Sequence, residues 1–455
     1  MLTYHIQTYG CQMNYSDTER METYLEALGF KKNPAMKRSD LIVFNTCSIR
    51  QKAEDRIFGQ MVRMGDLKRQ NKNLIVAITG CMVRNSSSKY SAKRDKLFMR
   101  IKELDVVIKN DELPLLAKLI REVKPELKIK EIPEENLENY FQIAPTHSSH
   151  KSNSQAFIAI SNGCDKFCTY CIVPYSRGRE KSRPIDQILK EAKLAVENGA
   201  KEIILIGQTV NSYGLSTYDK AEKTFEHLKK EPFVYLLEEM DKFSEIGLER
   251  VRFTSPHPKD MSDNLIEAMS KLKTQMPHLH LPVQSGDNAV LKRMNRTYTV
   301  EKYKEIIRLL REKIPNISIT TDVIVGFCGE TEEEFENTCK FFAEMKFEHA
   351  FLAQYSERKG TYASKKIKDD IPQKIKHSRW HKLNEILKKT SNKSLKRFIG
   401  KTLEVLVESQ EKDICTGRSE HYKEVQFKSK KPLLGQMVKV KITSQDDFSL
   451  SGQQL

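Results

Sequence analysis

The stretch Ser161-Asn162-Gly163-Cys164-Asp165-Lys166-Phe167-Cys168-Thr169-Tyr170-Cys171-Ile172-Val173-Pro174 decides how the chain folds and what it can do. Its cysteines stand at C-x3-C-x2-C spacing. Three thiolates on one tight loop can hold three irons of a 4Fe-4S cube. No fourth cysteine follows at ferredoxin spacing, so one iron stays open to chelate a small molecule. A zinc knuckle is the alternative, but zinc asks for four closed ligands and no neighbouring histidine or cysteine completes the set. Tyr170, between the last two cysteines, suits an aromatic that packs on an adenosyl group.

Outward from this loop the pattern alternates strand and helix. Residues 157–160 read as a strand that runs straight into the cysteines. Ile185, Ile188, Leu189, Ala192 and Val196 mark a helix that Gly199 ends. Further strands are expected at 202–206, 251–254, 278–281, 317–325 and 350–354. Six strands with helices between them predict a partial (β/α)6 barrel, whose chemistry lies on the loops after the strands. Those loops are polar or glycine-containing: Gly207-Gln208-Thr209-Val210-Asn211, Ser255-Pro256-His257-Pro258, Pro282-Val283-Gln284-Ser285-Gly286, residues 322–330 and Tyr355-Ser356-Glu357-Arg358. Their convergence on the rim that carries the cysteine loop predicts a ligand pocket.

The first 125 residues read as a parallel α/β (Rossmann-like) domain, with strands at 4–8, 41–45, 74–79 and 106–108. Ser16-Asp17-Thr18-Glu19 reads as a capping box that opens the first helix. Cys11, Cys47 and Cys81 each follow a strand. Parallel strands deliver their carboxyl ends to one edge, so these three thiols are expected to gather into a second three-thiolate site. Three buried free cysteines are the alternative. Residues 126–155 are polar and read as a linker, with His147 and His150 as solvated side chains.

At the other end, residues 365–401 hold thirteen Lys/Arg against three Asp/Glu. This stretch reads either as a solvated helix or as an arm that tracks phosphates. Beyond Gly400, short strands at 403–408, 425–427 and 436–442 predict a small β-barrel. Arg418, His421, Tyr422 and Lys423 are its candidate nucleic-acid contacts.

The cysteine loop resembles the signature of radical S-adenosylmethionine enzymes. The longer run from Cys164 to Pro184, with Tyr175, Arg177-Gly178-Arg179-Glu180 and Ser182-Arg183, resembles the methylthiotransferase branch. Within it the chain is most similar to the family that makes 2-methylthio-N6-dimethylallyladenosine in tRNA. The resemblance implies four segments: an amino-terminal methylthiotransferase domain with an auxiliary 4Fe-4S cluster (1–125), the linker (126–155), a radical SAM barrel with a basic helical extension (156–398) and a TRAM RNA-binding β-barrel (399–455). It implies two 4Fe-4S clusters, on Cys164, Cys168 and Cys171 and on Cys11, Cys47 and Cys81. Gly207, Gln208 and Asn211 are then expected at the amino-acid end of S-adenosylmethionine, with Ser255 and Gln284 at its ribose and methionine. Arg177, Arg179, Arg418 and Lys423 are expected to touch RNA. The implied reaction cleaves S-adenosylmethionine reductively and places a methylthio group on carbon 2 of N6-dimethylallyladenosine 37 of the anticodon loop. The implied partners are tRNA and a reductant such as flavodoxin or ferredoxin, with the sulfur donor left open; the chain is expected to be a monomer. Where the family commonly has proline, this chain has Cys328, which reads as a neutral replacement that keeps the turn through Gly329, with an extra ligand as the alternative.

Composition agrees with this. The chain has 455 residues, nine cysteines and a net charge of +16. Its length asks for several domains, and its cysteines read as ligands of a reduced, cytoplasmic protein. No secretion signal or membrane-length apolar run is seen. The basic balance suits a polyanionic partner. Two rivals remain: the same chemistry on threonylcarbamoyl-adenosine or a ribosomal protein aspartate, and a non-catalytic iron-sulfur RNA-binding protein. Glu180 favours the dimethylallyl branch, and the basic tail favours RNA over a protein.

Overall fold

The computed structural model describes residues 2–47, 51–83, 101–132, 140–143, 145 and 153–455. They fall into two compact units. One is drawn from residues 1–149, 162–164 and 172–183, the other from 150–161, 165–171 and 184–455. Among the described residues no helix is long and apolar enough to cross a membrane.

In the first unit, β1 (Thr3–Thr8), β2 (Lys31–Lys32), β3 (Leu41–Thr46), β4 (Ile75–Gly80) and β5 (Val106–Val107) form one parallel sheet in the order β2-β1-β3-β4-β5. β3 and β4 are buried at every position, as strands covered on both faces must be. Leu41, Val43, Ile75 and Ala77 pack with residues of the helices Gln12–Ala27 and Leu116–Val123. The alternate residues Ile42, Phe44, Val76 and Ile78 pack with Ile57, Met61 and Met64 of the helix Gln51–Gln70.

Two local expectations need correction. The first helix opens at Gln12 with Cys11 as its N-cap, not at Ser16, because the Asn14 side chain already accepts the Cys11 N–H at 3.2 Å. Half of the expected linker, including His147 and His150, lies outside the described residues, yet Tyr140 and Ile143 within it are buried in the core of the first unit.

In the second unit the six expected barrel strands are present. β6 (Gln155–Ala159) leads to the cysteine loop, which the two-residue strands β7 (Ser161–Asn162) and β8 (Lys181–Ser182) flank in sequence. β9 (Glu202–Ile206) and β10 (Arg250–Phe253) join β6 in a parallel sheet. β11 (His278–His280), β12 (Ser318–Val325) and β13 (His349–Gln354) form a second one. Ile203, Leu205, Val251, Phe253, Leu279, Ile319, Val323 and Ala350 pack into one core with the surrounding helices. Strand alternation therefore turns Glu202, Arg252, His278, His280, Asp322, His349 and Phe351 toward the interior.

β14 (Thr402–Glu411), β15 (Ile414–Ser419), β16 (Glu424–Lys428), β17 (Met437–Gln445) and β18 (Ser449–Gln454) close the carboxyl-terminal barrel in the order β14-β15-β16-β18-β17. β15 and β18 are additions to the sequence reading. This barrel docks where the central strands begin. Arg252, paired with Glu202 at 2.7 Å, donates to the Ser419 carbonyl at 2.9 Å, and Arg250 donates to the Arg418 and Glu404 carbonyls at 3.0 and 2.8 Å. Tyr422 stacks on His278 with centroids 4.8 Å apart. Lys423 pairs with Glu348 at 2.5 Å.

Candidate functional site

The cysteines of the first unit sit where the sheet ends. Thr46 of β3 is in register with Gly80 of β4, so Cys47 and Cys81 leave adjacent strands side by side. The Cys81 N–H donates to the Thr46 carbonyl at 2.9 Å. Gly80 makes this approach possible: its φ is +94°, and a Cβ there would fall 2.1 Å from the Thr46 oxygen. Cys11 follows β1, and Asn14 ties its helix to β3 by donating to Asn45 Oδ1 at 2.9 Å and the Thr46 carbonyl at 3.1 Å. Asn45 returns a bond to the Asn14 carbonyl at 2.7 Å. Cys47 and Cys81 are buried, and Cys11 is exposed.

Arg177, expected to touch RNA, is instead buried beside these thiols. Its Nε donates to Cys81 Sγ at 3.4 Å, and its terminal nitrogens reach Asn162 Oδ1 at 3.2 Å and Asp17 at 2.6 Å. A cation enclosed this way cannot meet a phosphate. Arg179, two residues on, is exposed. Cys164 belongs to the same unit, and its N–H donates to the Gly178 carbonyl at 3.2 Å. Gly163, at φ +84°, permits this contact, since its Cβ would lie 2.1 Å from the Arg179 oxygen.

In the second unit the rest of the cysteine loop is held from three sides. The Thr169 N–H donates to the Met294 carbonyl at 3.0 Å, and the Thr169 carbonyl accepts from Ala363 at 2.8 Å. Asn295, itself at φ +57°, donates to the Phe167 carbonyl at 3.0 Å. The Cys171 N–H closes the turn onto the Cys168 carbonyl at 2.9 Å. Arg296 is buried and donates to Cys168 Sγ at 3.5 Å. Tyr170 meets the edge of Phe327 at 6.4 Å.

The strand-end residues divide by role. Gly207 allows close passage, since a Cβ there would lie 2.8 Å from Ser161 Oγ. Ser255 and Gln284 hold left-handed backbones at φ +57° and +72°, strain of the kind that collects at functional sites. Asn211, expected at the amino-acid end of the ligand, is hydrogen-bonded to the His257 backbone, donating to the carbonyl at 2.9 Å and accepting the N–H at 2.7 Å. It shapes the neighbouring loop.

His257 and Arg296 are the residues the sequence did not single out. His257 Nδ1 accepts the Lys259 N–H at 3.2 Å, which leaves the proton on Nε2. Burial first, then Arg296 and Lys166, push its pKa far down, so the ring is neutral. Its Nε2, with Ser161 Oγ and Gln208 Oε1, is buried with no hydrogen-bond partner among the described residues. Buried polar atoms of this kind, on the strand before the cysteine loop and on the loops after the next two barrel strands, fit a polar ligand such as S-adenosylmethionine. The donor sets, thiols flanked by cations, fit iron-sulfur clusters. Among the described residues no three His, Cys, Asp or Glu converge as they would on a single metal ion.

Of the other RNA candidates, Lys423 is a correction: it is buried against Glu348. Arg418 lies over the Tyr422 ring at 4.7 Å, near Glu408 and Glu424 at 3.7 and 3.8 Å. His421 packs on Phe398 at 4.9 Å. In the basic arm, Lys376 and Arg379 are buried in pairs with Asp369 and Glu330 at 2.7 and 2.9 Å.

Three stretches match family models: residues 3–102 that of Uncharacterized protein family UPF0004, residues 158–342 that of the Radical SAM superfamily and residues 399–455 that of the TRAM domain. A tRNA-2-methylthio-N(6)-dimethylallyladenosine synthase from Clostridium botulinum is 39% identical, over 99% of this chain and 97% of its own. The synthases of that name from Clostridium tetani and Oceanobacillus iheyensis are 38% and 39% identical, over 100% and 98% of this chain and 96% and 83% of theirs. Among solved structures, the radical S-adenosylmethionine methyltransferase TsrM from Kitasatospora setae is similar in fold, with a TM-score of 0.55 at 13% identity over 77% of this chain and 72% of that one.

Proposed function

The chain belongs to the family of tRNA-2-methylthio-N(6)-dimethylallyladenosine synthases, and from that membership we propose how its residues serve the reaction. The reaction is the methylthiolation of N6-dimethylallyladenosine in tRNA by radical S-adenosylmethionine chemistry. Cys164, Cys168 and Cys171 hold one 4Fe-4S cluster, and Cys11, Cys47 and Cys81 hold a second. When bound, the clusters and S-adenosylmethionine supply radical chemistry at carbon 2 of the adenine and the methylthio group it takes up.

The chain's own residues position and enclose. Thr169, Asn295 and Ala363 keep the cysteine loop in one shape. Ser161, Gln208 and neutral His257 offer polar atoms to S-adenosylmethionine, and Asn211 fixes the loop that carries Ser255 and His257. Tyr170 packs on its adenosyl group. Phe351, 58% exposed on the inward side of β13, offers apolar surface to the incoming base. That base is adenosine 37, which an anticodon loop can present unstacked. Exposed Arg179 contacts its backbone, and a donor such as flavodoxin or ferredoxin supplies electrons.

The observation that carries this reading is 38–39% identity, over nearly the full length, to synthases of one name, with Cys47 and Cys81 leaving adjacent strands. Mass spectrometry of tRNA nucleosides from a deletion strain tests it. The modified nucleoside should vanish, its dimethylallyl precursor should accumulate, and a chain carrying Cys168→Ala should fail to restore it. Persistence of 2-methylthio-N6-dimethylallyladenosine would sink the substrate assignment.

A further inference from the structure

We propose that Arg177 is a positioning residue of the amino-terminal cysteine site and that Asp17 regulates how much of its charge the site feels, so that the pair tunes the reduction potential of the cluster held there. This rests on the reading of Cys11, Cys47 and Cys81 as cluster ligands.

Arg177 spends all three nitrogens inside the unit, on Cys81 Sγ, Asn162 Oδ1 and the Asp17 carboxylate. Its side chain is 4% exposed and that of Asp17 is 1% exposed. Asp17 also accepts from the Tyr140 hydroxyl and from Asn110 Nδ2. Asn110 in turn accepts from the Thr79 hydroxyl at 2.6 Å and the Gly80 N–H at 2.9 Å, on the two residues before Cys81. The network thus starts at one cysteine and closes on the strand that delivers it. Its geometry holds Arg177 in a single orientation toward sulfur.

A hydrogen bond to a ligating sulfur and the net charge around a cluster are the protein's levers on its potential. A guanidinium cannot lose its proton. Burial opposes its charge, but Asp17 and Cys81 outweigh that cost, and Cys11 lies within reach of the same field. A reduced cluster carries one more negative charge, which Arg177 favours and Asp17 opposes. The barrel loop offers the contrast. Arg296 donates to Cys168 Sγ, but its other nitrogens go to the Tyr298 hydroxyl at 3.0 Å and the Pro282 carbonyl at 2.9 Å, with no carboxylate hydrogen-bonded to it among the described residues. An arginine donates to one thiol of each cysteine set, and of the two arginines Arg177 is the one paired with a carboxylate among the described residues.

The test uses the full chain with Cys164, Cys168 and Cys171 replaced by alanine, reconstituted anaerobically with iron and sulfide. About four irons per chain are expected; absence of iron would overturn the ligand reading itself. Midpoint potentials are then read by EPR-monitored titration. Arg177→Lys, which cannot reproduce the Nε–H fork, should move the midpoint to more negative values. Asp17→Asn, which keeps hydrogen-bonding capacity but removes the charge, should move it to more positive values. Opposite shifts support the proposal, because a merely structural role gives no reason for opposite signs. Unchanged midpoints, or shifts in one direction with iron retained, overturn it. If Arg177→Lys fails to take up iron, Asp17→Asn decides alone: a positive shift supports the proposal and no shift overturns it.

Discussion

At the scale of single residues, the site depends on atoms that are missing as much as on atoms present. Gly80 has no Cβ because the Thr46 carbonyl occupies that space, and its left-handed φ is one that other residues rarely adopt. Gly80→Ala should therefore displace Cys81 from Cys47. We expect a stability loss on the order of 3 kcal/mol, from backbone strain and the carbonyl clash together, with the iron count of the amino-terminal site falling in parallel. Thermal melts and iron analysis check this; full iron retention would show that the thiols do not depend on that approach. The cysteines were legible in the sequence because spacing and position after a strand are local properties. Arg177 was legible only as a cation. Its counterion Asp17 lies 160 residues away in the chain and in sequence reads as part of a capping box, so no local pattern could assign the pair.

At the scale of elements, the β15–β16 turn shows how the same residue types serve two ends. Arg418, His421, Tyr422 and Lys423 have the basic and aromatic character of a nucleic-acid surface. The turn instead packs against the start of the central strands, where Glu202, His278 and Glu348 are waiting. Burial, helped by Arg397, lowers the pKa of His421 to about 4, so the folded ring is neutral where an unfolded one takes up a proton. Stability from this group is whole above the ordinary histidine value of about 6.5 and is lost as pH falls toward 4. His421→Phe, which keeps an aromatic against Phe398, should lose less stability than the parent between those two pH values. Melting temperatures measured across that range check it; parallel curves for parent and variant would count against it.

At the scale of the whole second unit, the carboxyl-terminal barrel is a structural part of the central one. Burial pushes the Glu348 carboxyl up, yet Lys423 and Arg397 hold it below its ordinary value. Removing one partner from a buried pair costs several kcal/mol. With Arg397 still in place, Lys423→Ala should cost on the order of 3 kcal/mol and lower Tm. It should leave the tRNA affinity of the folded protein nearly unchanged; a selective loss of affinity without a change in Tm would restore Lys423 as an RNA contact. The sequence by itself determined six strands of a partial barrel, the parallel sheet before them and the placing of cysteines just past strands, because periodicity, turn residues and cysteine spacing are written within a few residues of one another. Only the tertiary structure decided which cations are exposed and which are enclosed, because a charge's role depends on the countercharge that folding brings beside it, and that partner can come from anywhere in the chain.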